Sequence, residues 1–239
     1  MSRIRSVLID RYTEHYARVN AELNPESHLE RNSKDMELLY GSLISSLPTR
    51  SRVLDLGCGT GLLLHWLSQQ PTIIPVGVDS SISQVARAKQ TLPNVDISLG
   101  DGLEYLQKHP QTFAGIFCLD VLEHLPEEDL LGWVEAARSA LQAGGFFFCR
   151  APNAANLTGS YSRYMDLTHQ RSFTSTSIAQ LLEAGGFQKV YIVPIRSARI
   201  MSNFRLFLEH ILHRIVFRVV GEGLERVFTR NVCAVAFES

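Results

Sequence analysis

A doubly wound α/β domain, with a parallel sheet and helices on both faces, is the fold class that this sequence predicts. Strand-length apolar runs alternate with helical stretches through most of the chain, the pattern of a sheet built from crossover units. The first run, Val53 to Leu56, stops abruptly in a turn with Gly57, Gly59 and Gly61 at alternate positions, and a helical stretch follows from Leu62. Length and composition agree with both. The 239 residues, 45% of them apolar, suffice for one domain with additions and a full core.

Each later element has its own reason. The run Ile73-Ile74-Pro75-Val76-Gly77-Val78 reads as the second strand and ends in Asp79. A short third strand, Val95 to Ser98, leads into Leu99-Gly100-Asp101-Gly102. Phe113 to Leu119 is the fourth and runs into Asp120-Val121-Leu122-Glu123-His124. A helix end at Leu141, a stop at Gly144-Gly145 and a fifth strand through Phe148 come next. Residues 150–160 are polar and breaker-rich, hence a loop. Thr174 to Ser177 cap a helix over 178–184, which Gly185-Gly186 stops. Strands six and seven fall at 189–193 and 232–237. Ahead of the sheet, 6–20 and 34–47 look helical, separated by Asn24-Pro25-Glu26-Ser27-His28.

The glycine turn points to a flat ligand. Three residues without Cβ let it lie against the backbone, and the N–H groups opening the next helix face it. A dinucleotide fingerprint wants a third small residue where Leu62 stands, while Asp79 is placed to accept both hydroxyls of a ribose. On these residues alone an NAD(P) oxidoreductase of the same architecture stays open.

The pattern Asp55-x-Gly57-x-Gly59-x-Gly61, then Gly77-Val78-Asp79, Asp101 and the later strands in order, resembles the class I S-adenosylmethionine-dependent methyltransferases. The resemblance spans roughly residues 52–187 and is weak at both ends. It implies a Rossmann-like, seven-stranded, mostly parallel sheet with an antiparallel last strand. It also implies an N-terminal helical lid over 1–50 and a methyltransferase domain over 51–239. The cofactor implied is S-adenosylmethionine, leaving as S-adenosylhomocysteine. The residues expected around it are Asp55, Gly57, Cys58, Gly59, Gly61, Asp79, Ser80, Asp101, Gly102, Leu119 and Asp120. In the family an acid at the position of Asp101 bonds the adenine amino group, and Asp120 with Leu119 would meet the methionine end.

Methyl transfer from a sulfonium is an in-line displacement, so a hydroxyl acceptor gains most from positioning and from a base of near-neutral pKa. Two histidines are candidates. His124 belongs to a Glu-His pair similar to one carried by many family members, with Glu123 read as structural. His169 lies in Asp166-Leu167-Thr168-His169, where Asp166 could orient the imidazole. This segment and Arg150-x-Pro152-Asn153 resemble methyltransferases of bacterial glycan pathways. Asn153, Arg163 and Tyr164 would then bind a polyhydroxylated acceptor. The alternative for both histidines is structural, within loops whose polar groups satisfy one another. A divalent metal at Asp120, His124, Asp166 and His169 matches no ligand spacing, so none is expected.

Partners follow from charge and patterning. With 23 Lys and Arg against 24 Asp and Glu, nucleic acid is not an expected partner. Four scattered cysteines form no C-x-x-C pair and fit a reducing cytoplasm. No run of eighteen apolar residues exists. An insertion over 197–230 separates the last two strands. Within it, 204–220 places Phe204, Leu208, Ile211, Leu212, Ile215 and Val219 on one stripe, with basic residues and further apolar ones opposite. Such a helix suits peripheral contact through 203–220 with the inner face of a membrane, or packing against a second copy. The expected function is O-methylation of a saccharide or other small hydroxylated acceptor in polysaccharide biosynthesis. The rivals are O-methylation of a lipophilic phenol or quinone precursor, and a non-catalytic scaffold. An apolar acceptor tunnel would favour the phenol. An open cleft lined by Asn, Tyr, Arg and Asp would favour the glycan.

Overall fold

The computed structural model describes residues 25–195, 197–198, 200–221 and 225–238. The helix expected over 6–20 lies outside the described residues. Helix α1 (Pro25–Ser45) begins where a break was expected, because proline fits the first turn of a helix without losing a bond. Its last turns enter the core. Tyr40 and Ile44 are buried, and the Tyr40 ring meets Phe117 and Phe148 edge to face at 4.9 and 5.0 Å.

The sheet elements follow as expected. They are β1 (Ser51–Leu56), α2 (Leu62–Ser68), β2 (Ile73–Asp79), α3 (Ile82–Thr91), β3 (Asp96–Leu99), α4 (Gly102–Gln107) and β4 (Phe113–Leu119). After a 3-10 turn at Leu122–His124 come α5 (Glu127–Ala140), β5 (Leu141–Pro152), α6 (Gly159–Tyr164), α7 (Ser175–Ala184), β6 (Lys189–Val193), α8 (Ile200–Val219) and β7 (Asn231–Phe237). The strand order is β3-β2-β1-β4-β5-β7-β6, and β7 alone runs antiparallel to its neighbours. The order reverses between β1 and β4, so a crevice opens beyond their carboxyl ends. Register gathers that edge, with Asp55 beside Gly77 and Phe117, Asp79 beside Leu99, and Leu119 beside Arg150.

One strand differs from expectation in detail. β5 starts at Leu141, pairs with Phe113, bulges through Gly144 (φ 75°) and resumes pairing at Phe146. It also continues through Arg150 to Pro152 on β7, so the expected loop is partly strand. Thr174 caps α7 in a reciprocal capping box with Ser177.

α8 matches the expected helix, with its apolar stripe turned outward. Phe204, Leu208, Ile211, Leu212, Ile215 and Val219 are all exposed. The contact side is held by His213, which is buried. Its Nδ1 donates to the Glu209 carbonyl, its Nε2 accepts from the Leu157 N–H at 2.7 Å, and its ring stacks on Phe228. His213, bonded at both nitrogens, anchors the helix.

Candidate active site

The glycine turn after β1 adopts left-handed φ at all three positions, 81° at Gly57, 54° at Gly59 and 86° at Gly61. Side chains are costly there, and space is short as well. A Cβ on Gly57 would stand 2.4 Å from Val121 Cγ2. The Gly59 N–H donates to Asp79 Oδ2 at 2.9 Å, and the Ser81 N–H donates to Asp79 Oδ1 at 2.8 Å. The end of β2 thereby holds the turn of β1. Asp101 caps α4 by accepting from the Glu104 N–H at 3.0 Å. A Cβ on the next residue, Gly102, would sit 2.4 Å from the Trp133 indole.

These groups surround a cavity of about 750 Å³. Asp55, Gly57, Cys58, Gly59, Asp79, Ser80, Asp101, Gly102, Leu119 and Asp120 all line it. Gly61 shapes the turn from behind and does not line it. Asp35 closes the roof by accepting from the Ala198 N–H at 2.7 Å and the Ser197 hydroxyl at 3.2 Å, which ties α1 to the segment after β6. Asp120, at φ 57°, receives a two-pronged bond from the Arg150 guanidinium.

The cavity holds acids at raised pKa. Burial, and next the Asp79 charge, push Asp55 up to about 7 against the opposing pull of Arg150. Burial also raises Asp79, although the Ser81, Gly59 and Ser80 N–H groups work against it. A cavity of this kind favours a cationic ligand, which relieves the cost of ionising buried carboxyls.

His124 and Thr168 also line the cavity. The Thr168 hydroxyl donates to Asp166 Oδ1 at 2.6 Å, so its oxygen accepts from His124 Nδ1 at 2.8 Å. In this chain of bonds Asp166 is the final acceptor, and it fixes how the Thr168 hydroxyl meets the His124 ring. Burial pushes the Asp166 carboxyl up, but the Thr168 hydroxyl and N–H, with both imidazoles, bring it below its ordinary value. His169 donates from Nδ1 to the Ser162 carbonyl at 3.0 Å and meets the His124 ring at 4.7 Å between centroids. The Glu123 carboxyl, 1% exposed, is pushed well above the usual range by burial and then by Asp120.

The methyltransferase-domain family matches this chain over residues 28–192. The chain belongs to that family. The class expected from the glycine turn, the class I S-adenosylmethionine-dependent methyltransferases, is the one found, and S-adenosylmethionine is the cofactor. A ubiquinone biosynthesis O-methyltransferase of Saccharophagus degradans is 32% identical over 101 residues, covering 41% of this chain. The match takes in 42% of that relative, so the chain spans about two fifths of the length of the curated relatives it matches. A methyltransferase from Archaeoglobus fulgidus, 19% identical, superposes with TM-score 0.65 over 83% of this chain and 91% of its own. The phosphoethanolamine N-methyltransferase 2 of Haemonchus contortus with bound S-adenosyl-L-methionine, 16% identical, gives 0.62 over 85% and 52%. Both likenesses are of fold.

Within this methyltransferase the sequence-derived residues separate. The residues expected around the cofactor, Gly61 apart, line one cavity. Of the acceptor set, only His124 reaches it, and Asp166 works through Thr168. Asn153 is fully buried and bound by its side chain to the Val227 and Thr229 carbonyls and the Ala155 N–H. Arg163 donates to the Gln170 carbonyl and lies over the exposed Tyr164 ring. None of these three lines the cavity, which corrects their expected place around the acceptor. Of the four residues weighed for a metal, Asp120 is taken up by Arg150 and Asp166 bonds Thr168. Sequence reasoning missed Thr168 and Trp133 as wall residues and treated Arg150 only as part of a loop. The one visible sign was Arg150 itself, a charge ending an otherwise apolar strand.

Proposed function

We propose that this chain transfers the methyl group of S-adenosylmethionine to a phenolic hydroxyl on a lipophilic, quinone-type acceptor. The observation that carries the reading is the set of apolar residues that line the cavity together with His124. Met36, Leu39, Val121, Leu125 and Ile195 stand in the wall with His124 and Thr168, whereas Asn153, Arg163 and Tyr164 do not. Apolar walls reward an aromatic acceptor and leave sugar hydroxyls without partners. The matched relatives named for ubiquinone biosynthesis support the same class of acceptor.

The chemistry suits a phenol as well. A phenol ionises near pH ~10 and an aliphatic hydroxyl nearer water's ~15.7, so an imidazole has far less to do for the former. In this reading Asp79 takes the ribose hydroxyls, and Asp101, Gly102 and Trp133 hold the adenine. Asp55 and the Asp120–Arg150 pair face the methionine end. The sulfonium then lies between this end and His124, whose ring meets the acceptor hydroxyl while Asp166 positions it through Thr168. The remaining contribution is in-line alignment.

The exposed stripe of α8 fits an acceptor carried in lipid. No helix among the described residues is long and apolar enough to cross a membrane, so the proposed contact is peripheral. Methyl uptake from labelled cofactor should rise along catechols of increasing alkyl length and stay at background with saccharides and sugar nucleotides. Uptake by a saccharide instead would overturn the reading. Liposome co-sedimentation should be lost when Phe204, Leu208 and Ile215 are replaced by Ser. A concentration-dependent dimer without lipid binding would contradict the membrane contact.

A further inference from the structure

We propose that α8 holds an acceptor entrance of the cavity shut through a hydrogen-bonded latch, which runs from Asn203 through Ser197 and Ala198 to Asp35 and opens when the start of α8 moves. The latch rests on the reading that a lipophilic acceptor uses this cavity, and it supplies the control over its entry.

Three segments meet in it. Asn203, in the first turn of α8, accepts from the Ser197 N–H at 3.1 Å and donates to the Ser197 carbonyl at 2.8 Å. The backbone of Ser197 is thereby fixed to α8. On the other side, one carboxylate oxygen of Asp35 receives both the Ser197 hydroxyl and the Ala198 N–H. Asp35 and Ser197 line the cavity, with Met36, Leu39 and Ile195 beside them. Those three apolar side chains are half-buried and pack on the core cluster that contains Tyr40. The seam between α1 and the segment after β6 is therefore apolar within and closed at the surface by Asp35. An apolar seam passes a lipophilic acceptor without stranding polar groups. The bonds that close it are exposed, apart from the half-buried one to the Ser197 hydroxyl, so water replaces them at little cost.

α8 is pinned as a lever would be, in its second half. His213 holds the Leu157 N–H, Glu209 accepts from Asn156 Nδ2 at 3.3 Å, and the Phe217 ring meets Phe228 at 4.9 Å. Asn203 lies ten residues before His213, about 15 Å along the helix axis. A tilt of about 15° around His213 displaces Asn203 by about 4 Å, farther than its two bonds can stretch. Phe204, Phe207 and Leu208 are exposed on the moving half, so a surface that takes them up pulls on Asn203. Under the peripheral contact proposed above, that surface is the lipid carrying the acceptor. The entrance then opens where the acceptor is, and stays closed to water elsewhere.

Amide hydrogen exchange on the full-length protein reads the latch without acceptor. Asn203→Ala should speed exchange at Ala198, whose partner is Asp35 rather than Asn203, at least tenfold. Vesicles of equal parts phosphatidylcholine and phosphatidylglycerol should speed the same exchange in wild type. The entrance is read with an Asp35→Cys/Ala198→Cys double variant, loaded with S-adenosylmethionine and then oxidised by diamide to a disulfide across the seam. Single turnover of an alkylated catechol should fall at least tenfold on oxidation and return on reduction, while wild type treated in the same way is unchanged. Exchange at Ala198 unmoved by Asn203→Ala, in protein that binds S-adenosylmethionine like wild type, would overturn the latch. So would a cross-linked variant that turns over as fast as its reduced form. Vesicles that bind the protein and leave exchange unchanged would overturn lipid as what moves α8. Faster exchange in Asn203→Ala with no phenol methylated by wild type would overturn the proposed function and leave the coupling of α8 to Asp35 standing.

Discussion

The two ends of the cavity are built by different means. At the proposed cofactor end the lining groups come chiefly from the carboxyl edges of β1, β2 and β4 or from the first residues beyond a strand, and register brings them together. At the acceptor end His124 is placed by its own turn but oriented by Thr168 and Asp166, which arrive from a loop far along the chain. Groups held by sheet register form a site that local sequence reveals. Groups oriented by tertiary hydrogen bonds form one that it conceals.

The contrast can be broken by mutation. The largest effect is expected at the cofactor end. Gly59→Val places a side chain at φ 54° and 2.8 Å from Gln84 Oε1, so cofactor affinity should fall by more than about a hundredfold in calorimetry. Near-normal affinity would dissociate the turn from the cofactor. Next in size is Asn153→Ala, which orphans two half-buried carbonyls and one buried N–H. A loss of about 2–3 kcal/mol in stability is expected, with KM for the acceptor unchanged. A raised KM at unchanged stability would restore Asn153 to the acceptor site.

Thr168→Val is nearly isosteric and removes the link between Asp166 and His124. It should lower kcat by about 10–100-fold and flatten the pH–rate profile, with cofactor affinity unmoved. The smallest expected effect concerns Asp55, whose pKa of about 7 lies well above its unfolded value. A cationic cofactor favours the ionised carboxylate, so binding below pH 7 must expel a proton. Affinity should therefore rise with pH towards 8, by no more than about tenfold per unit, and Asp55→Asn should abolish the slope. Without cofactor the sign is opposite. The raised pKa contributes stability below about pH 4, and this is lost as pH climbs through 7, so Asp55→Asn should raise Tm most at pH 8. A wild-type slope retained in the variant would assign the proton elsewhere.

Sequence alone reached the sheet, its antiparallel last strand and ten of the residues that line the cavity, because glycine spacing and strand-end acids are local features. It did not reach the walls facing the acceptor. Asn153, Arg163 and Tyr164 had suitable chemistry, yet Asn153 was needed to pin 225–230 and Arg163 to close its own loop. Asp166 was paired by proximity with His169, while the bonds run through Thr168 to His124. Periodicity found the stripe of α8, but not that His213 would hold the helix and turn the stripe outward. Periodicity reports which residues share a face, and only packing decides what that face meets.

The separation of the two ends is tested most directly by His124→Ala. S-adenosylmethionine titration and turnover of an alkylated catechol would be measured on the same preparation. The account predicts a cofactor dissociation constant within twofold of wild type and a kcat lowered at least a hundredfold. A kcat near wild type, or a turnover loss fully matched by lost cofactor affinity, would contradict it.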